Sequence, residues 1–221
     1  MKLKLFPLIM IGLLLGSVVA QEEAITPGME KDDSKDLKPG DIAPSWALMF
    51  APGKFEFLRT WAEEEDKKLR LIVSQPDRHA VLMSFFATWC KPCMKELPLL
   101  EEVYQKYKDE RVKFFLVDIT EATRTNPGEV YGVAYKDVPV AGPFLKNKGV
   151  TMQILFDTRG VVMKNYNAQT LPRLFLMDGN RKITLTRRGF HDGEEEKFKK
   201  DLSVEIERLL AELPPAKNKN K

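Results

Sequence analysis

Residues 80 to 93 read Ala80-Val81-Leu82-Met83-Ser84-Phe85-Phe86-Ala87-Thr88-Trp89-Cys90-Lys91-Pro92-Cys93. The first seven form a short, continuous run of mostly large apolar residues. Such a run suits a central strand covered on both faces. The period then changes. Leu97, Leu100, Tyr104 and Tyr107 recur at three- and four-residue spacing and mark the apolar stripe of a helix ending near Lys108. Pro98 interrupts that helix and is expected to kink it. Val112 to Asp118 reads as a second buried strand. Strand, helix and strand in this order make a βαβ unit, so the two strands are expected to be parallel.

Toward the C-terminus, residues 119–150 carry Pro127, Gly128, Gly132, Pro139, Gly142 and Pro143. This composition predicts a loop-rich insertion followed by a helix around Gly142 to Lys148. Thr151 to Phe156 is a third strand, and a short segment after Gly160 leads to Leu171-Pro172. Arg173 to Met177 and Lys182 to Arg187 are two further strands around the turn Asp178-Gly179-Asn180. Asp192 is placed to cap a last helix, with Glu195 completing a capping box. Phe198, Leu202, Ile206 and Leu209 form the buried stripe of that helix. Pro214-Pro215 ends it, and 214–221 is a basic tail with nothing to bury.

Toward the N-terminus, Trp46 to Phe57 predicts a strand pair around Pro52-Gly53, and Leu58 to Leu71 a helix with Trp61 on its inner side. Trp46, Phe55 and Trp61 are expected in the core. Residues 21–40 are polar and read as a linker, so the domain spans 41–213. Lys2 and Lys4 precede an apolar run from Leu5 to Leu15, and Ser17-Val18-Val19-Ala20 offers small residues before Gln21. Residues 1–20 therefore read as an export signal, with an uncleaved anchor as the alternative.

Composition bounds the function. The chain has 221 residues, 43% hydrophobic and 30% charged, which is globular composition. The net charge of +3 includes Lys2 and Lys4, so the rest is close to balanced. Nucleic-acid binding would need a large clustered basic excess and is not expected. The only two cysteines lie three apart. A loop that short stabilises little as a structural bridge. The two histidines, His79 and His191, make no compact zinc pattern with them, so no metal is expected.

Thiol–disulfide exchange needs one thiolate that attacks and a second thiol that releases the mixed disulfide. Cys90 falls at a helix start, where unpaired N–H groups and the helix dipole favour a thiolate. Lys91 adds a positive neighbour. Pro92 is tolerated in the first turn, where its missing N–H is not needed. Cys93 lies one turn in, is expected to be the less accessible of the two, and would resolve. Trp89 is placed to shield one side and to offer apolar contact to a partner.

Ala87 to Cys93 resembles the active-site motif of the thioredoxin superfamily. Pro98, five residues past Cys93, matches that family's helix proline, and Leu171-Pro172 matches its cis-proline. Glu96-Leu97-Pro98 is similar to the ResA/TlpA branch of exported thiol–disulfide oxidoreductases. The resemblance covers about residues 40 to 210. It implies an α/β thioredoxin fold: a central mixed β-sheet with helices on both faces, an N-terminal extension and a central insertion.

The resemblance also implies roles. Cys90, Cys93, Glu96 and Pro172 would be catalytic, with Glu96 handling protons. Trp89, Lys91, Pro92 and Leu171 would touch the substrate. Thioredoxin itself keeps a buried acid six residues before its first cysteine; Ser84 stands there, which leaves Glu96 as the candidate or, alternatively, as a solvent-facing carboxylate. Arg173, after the proline, would recognise an acidic partner or cover the strand edge. The implied activity is reduction of protein disulfides outside the cytoplasm, in the periplasm, with apocytochrome c among the clients. A membrane thiol donor would supply electrons, no cofactor is implied, and the protein would be a monomer. An oxidase or isomerase, and a binding module without turnover, stay open as alternatives.

Overall fold

The computed structural model describes residues 24–25, 33–62, 77–126, 129–130, 133–134 and 137–215. Its strands are β1 (Ala24–Ile25), β2 (Ala47–Ala51), β3 (Lys54–Phe57), β4 (Ala80–Phe86), β5 (Val112–Asp118), β6 (Arg124–Asn126), β7 (Glu129–Val130), β8 (Val133–Ala134), β9 (Gln153–Phe156), β10 (Thr170–Leu171), β11 (Arg173–Met177) and β12 (Ile183–Arg188). Its helices are α1 (Lys91–Tyr107), α2 (Ala141–Asn147), α3 (Val161–Asn165) and α4 (Glu195–Glu212). Among these residues seven strands make the main sheet, in the order β12-β11-β4-β5-β9-β2-β3.

The apolar run at 80–86 occupies the middle of this sheet as β4, and every one of its residues is buried. Alternate side chains of a strand point to opposite faces, so both faces of β4 are covered. β5 lies parallel to it, from Ala80 opposite Val112 to Phe86 opposite Asp118, as the βαβ reading requires. On the other side β11 runs antiparallel, from Arg173 opposite Phe85 to Met177 opposite Val81. β9 is parallel to β5, and the sheet is mixed.

Helix α1 turns Cys93, Glu96, Leu97, Leu100, Val103 and Tyr107 inward, while Tyr104 is half-buried against Phe114. Pro98 stands inside it. The predicted stripe of α4 is buried as read: Phe198, Leu202, Ile206 and Leu209. Burying each such side chain stabilises by about 1.5–3 kcal/mol relative to exposure. The two helices meet, and Tyr107 Oη donates to Glu207 Oε1 at 2.5 Å across the contact.

Several expectations change. Residues 119–150 are not only loops: β6, β7 and β8 form a small antiparallel sheet of their own. Two- and three-residue strands carry too little pattern to be read from sequence. Where the helix expected from Leu58 would start, the structure has a single 3-10 turn, Leu58–Thr60, and positions 63 to 71 of that expectation lie outside the described residues. So do residues 1–20, for which an export signal is expected, and the stretch 216–221 of the expected tail. Trp46 is buried edge-to-face on Phe115, and Trp61 is half-buried, but Phe55 is 52% exposed because its strand β3 is the sheet's outer edge.

Asp192 does not cap α4. Gly193, at φ +88, turns the chain away first, and the Asp192 carboxylate binds Lys95 Nζ at 2.9 Å. Glu194 stands at the cap position without a side-chain capping bond, its carboxylate held by Arg187 instead.

The stretch read as a linker docks in its second half. Asp36 accepts from Asn167 Nδ2 at 2.6 Å and from Arg188. Gly40 N donates to Ile183 O and Ile183 N to Asp41 O, both at 2.8 Å. Tyr166 Oη donates to Pro44 O at 2.6 Å. Farther back, β1 pairs antiparallel with β10: Ala24 faces Leu171 and Ile25 faces Thr170.

Candidate active site

β4 ends at Phe86, and α1 begins at Lys91, so the turn between them carries Ala87 to Cys90, and Cys93 follows in the first turn of the helix. Cys90 is the N-cap of α1, with extended backbone at φ −77 and ψ 102. It is bonded to Cys93 in a disulfide. Cys90 Sγ also accepts a hydrogen bond from Cys93 N at 3.2 Å. That N–H is one of the orphan donors of a helix start. With the bridge open it would stand ready to stabilise a Cys90 thiolate, together with the helix dipole. Pro92 sits in the first turn.

The expected difference in access is not present. With the bridge closed, Cys90 is 0% exposed and Cys93 1%. The residues that carry Cys90 out of the sheet, Ala87 and Thr88, are themselves buried, so the sulfur stays below the surface. Lys91 is exposed beside it, while Trp89 and Pro92 are half-buried.

The Leu171–Pro172 peptide bond is cis, and both residues are buried. Arg173 faces Phe85 in the β11–β4 register. Carried two residues further, that antiparallel register runs 172 and 171 alongside 86 and 87, toward the Cys90 turn. The structure thus gathers the disulfide, Trp89 and the Leu171-Pro172 edge at one end of the sheet. That edge is occupied in this chain by Ala24–Ile25.

Glu96 is 1% exposed, which removes the solvent-facing reading. It lies three residues past Cys93 on the same inner face of α1. Its Oε1 accepts from Ser84 Oγ at 2.9 Å. Burial pushes the carboxyl up to about 7, against a smaller downward pull from the Ser84 hydroxyl and the Arg187 guanidinium. Arg173 is buried with its guanidinium 4.6 Å above the Phe175 ring, so it is packed into the sheet rather than offered to a partner.

Two residues unremarked in the sequence organise the motif. Thr120 Oγ1 accepts from Thr88 N at 3.0 Å and donates to Asp118 Oδ1 at 2.5 Å. Thr123 Oγ1 accepts from Trp89 Nε1 at 2.8 Å and donates to Thr120 O at 2.7 Å. The root of the insertion therefore holds the Thr88 backbone N–H and the Trp89 indole. Burial pushes the Asp118 carboxyl up, and the two Thr120 donors oppose this. The only sequence signal was two threonines just past a strand end.

A family model described as Redoxin matches residues 56–202, more than half of the chain. Thiol-disulfide oxidoreductase ResA of Bacillus thuringiensis subsp. konkukian is 32% identical over 103 residues, covering 47% of this chain and 51% of that protein. The chain thus spans about half the length of such curated relatives. Sporulation thiol-disulfide oxidoreductase A of Bacillus subtilis is 28% identical over 134 residues, 60% of this chain and 70% of that one. The thioredoxin domain of a thiol-disulfide oxidoreductase of Bacteroides vulgatus superposes with a TM-score of 0.51 at 16% identity, over 77% of this chain and 99% of that one, and shares its fold. The mixed sheet, the cysteine pair at the start of α1 and the extent of the family match together establish that the chain belongs to the Redoxin family.

Proposed function

We propose that this protein is a thiol–disulfide oxidoreductase that reduces protein disulfides. The observation that carries the reading is the Cys90–Cys93 bridge at the first turn of α1, with Cys90 Sγ on a helix N–H. In the reduced form, the Cys90 thiolate attacks one sulfur of a client disulfide. A mixed disulfide forms and the first client thiolate leaves. Cys93 then loses its proton to Glu96 and attacks Cys90 Sγ. This closes the Cys90–Cys93 bridge and releases the second client thiolate, two electrons having passed to the client. A membrane thiol donor restores the dithiol.

Lys2, Lys4 and the apolar run behind them support export to the periplasm, an oxidising compartment in which such a donor is required. Cytochrome c maturation is the pathway this reading favours, with apocytochrome c as client. The names of the relatives support the redox chemistry. A redox titration of the pair tests the direction. We expect a potential well below the roughly −120 mV of a strong oxidant. A value at that level would make the protein an oxidase of clients instead.

Client backbone pairs along the edge just before Pro172 and must displace Ala24–Ile25 to do so. An open strand edge of unpaired N–H and C=O groups takes an extended segment in this way. Ile25→Pro, which removes a donor and fixes φ, should lower KM for a disulfide-bonded peptide several-fold with kcat unchanged. An unchanged KM would remove the competition.

A further inference from the structure

Ser84 is the one polar residue of β4 and is fully buried. Its neighbours across the sheet are Leu116 on β5 and Leu174 on β11, which offer its side chain no polar partner. A hydroxyl in such a place needs a hydrogen bond. The bond it makes leaves the sheet and reaches the helix, to Glu96 Oε1 at 2.9 Å. Residues twelve apart are joined, one beneath the reactive turn and one a helical turn beyond Cys93.

We propose that Ser84 is a positioning residue for the exchange reaction, its hydroxyl fixing the Glu96 carboxyl on the inner face of α1 where it takes and returns the Cys93 proton. This rests on the reading of Glu96 as the proton acceptor. During resolution the proton passes from the Cys93 thiol to the Glu96 carboxylate while the Cys93 sulfur bonds to Cys90 Sγ and the client thiolate departs. It goes back when the pair is next reduced.

The charged surroundings of Glu96 leave room for this control. From β12 the Arg187 guanidinium acts on it at longer range. That group is itself engaged by Glu194, ahead of α4, at 2.8 Å, and by Asp201 on α4 at 3.3 Å. On α1, Lys95 points outward to Asp192. Ser84 is the group bonded directly to the carboxyl, and as a donor it favours the charged form.

The test is the pH dependence of mixed-disulfide resolution in the full chain, for the native protein, Ser84→Ala, Ser84→Thr, Glu96→Gln and the double variant Ser84→Ala/Glu96→Gln. Losing the donor raises the Glu96 midpoint above about 7. We expect Ser84→Ala to move the profile up by about 0.5–1 pH unit and to slow resolution about three-fold at pH 7. Ser84→Thr keeps the hydroxyl and should restore both. In the Glu96→Gln background Ser84→Ala should change nothing more. A carbon-13 label on the Glu96 carboxyl follows the same midpoint without turnover, so a variant of low stability still reports. A Ser84→Ala midpoint equal to the native one, where Glu96→Gln abolishes the titration, overturns the role of Ser84 alone. A profile unaltered by Glu96→Gln overturns the reading of Glu96 beneath it.

Discussion

Cys90→Ser should abolish reduction of a protein disulfide, with a loss of at least about a thousand-fold in rate, equivalent to about 4 kcal/mol in the barrier. A serine hydroxyl at the same cap position gains the same N–H bond and the same dipole. It is nevertheless almost wholly protonated at neutral pH and does not attack sulfur at a useful rate. Cys93→Ala is the informative partner. It leaves the attacking thiol in place and removes the one that resolves, so mixed disulfides should accumulate and turnover should stop after one event. Insulin reduction measures the first variant. Mass spectrometry of trapped adducts measures the second and identifies the client. Activity of Cys90→Ser within ten-fold of native would mean that the Cys90–Cys93 pair does not carry the reduction, and adducts trapped on Cys93 in that variant would mean that the assignment by helix position is reversed.

The other large effect expected is on stability. Phe175 stands in β11 next to the central strand and is fully buried. Its ring meets Phe85 edge-on at 6.1 Å and Tyr166 at 5.2 Å, and the Arg173 guanidinium lies over it. Phe175→Ala removes the ring and leaves a cavity between β4, β11 and the segment of Tyr166. Aromatic-to-alanine changes in such cores cost about 3–5 kcal/mol, the sum of lost transfer energy and the unfilled space. The edge-on contacts and the stacked cation place this site toward the upper part of that range. Urea denaturation should show the midpoint falling with little change in slope. A loss under about 1 kcal/mol would mean that the surrounding rings collapse into the gap and that the aromatic cluster is not what holds β11 to β4.

These two sites differ in how they could be read beforehand. Cys90 was legible because a cap position is local: an apolar strand, a short turn and an amphipathic stripe lie within thirty residues. The parallel pairing of β4 and β5 followed from the same stretch. The stripe of α4 was legible for the same reason, down to each buried residue. Asp192 was misread because a capping pattern does not report the turn at Gly193 that carries it past the helix end. The polar segment before residue 41 was read as a linker because its composition is that of one. It docks because Asp36 finds Asn167 and Arg188, more than 130 residues away.

Periodicity and cap chemistry, properties of neighbouring residues, determined from the sequence alone the strand–helix–strand unit, the helix-start position of Cys90 and the second thiol within its reach. The approach of separate elements decided the rest. It buried both sulfurs, turned Glu96 onto Ser84, held Trp89 against Thr123 and laid Ala24–Ile25 along the edge before Pro172. The physical reason is that an alternation of apolar and polar residues states which side of an element is covered, whereas a hydrogen bond between two elements exists only once packing has set their distance and angle.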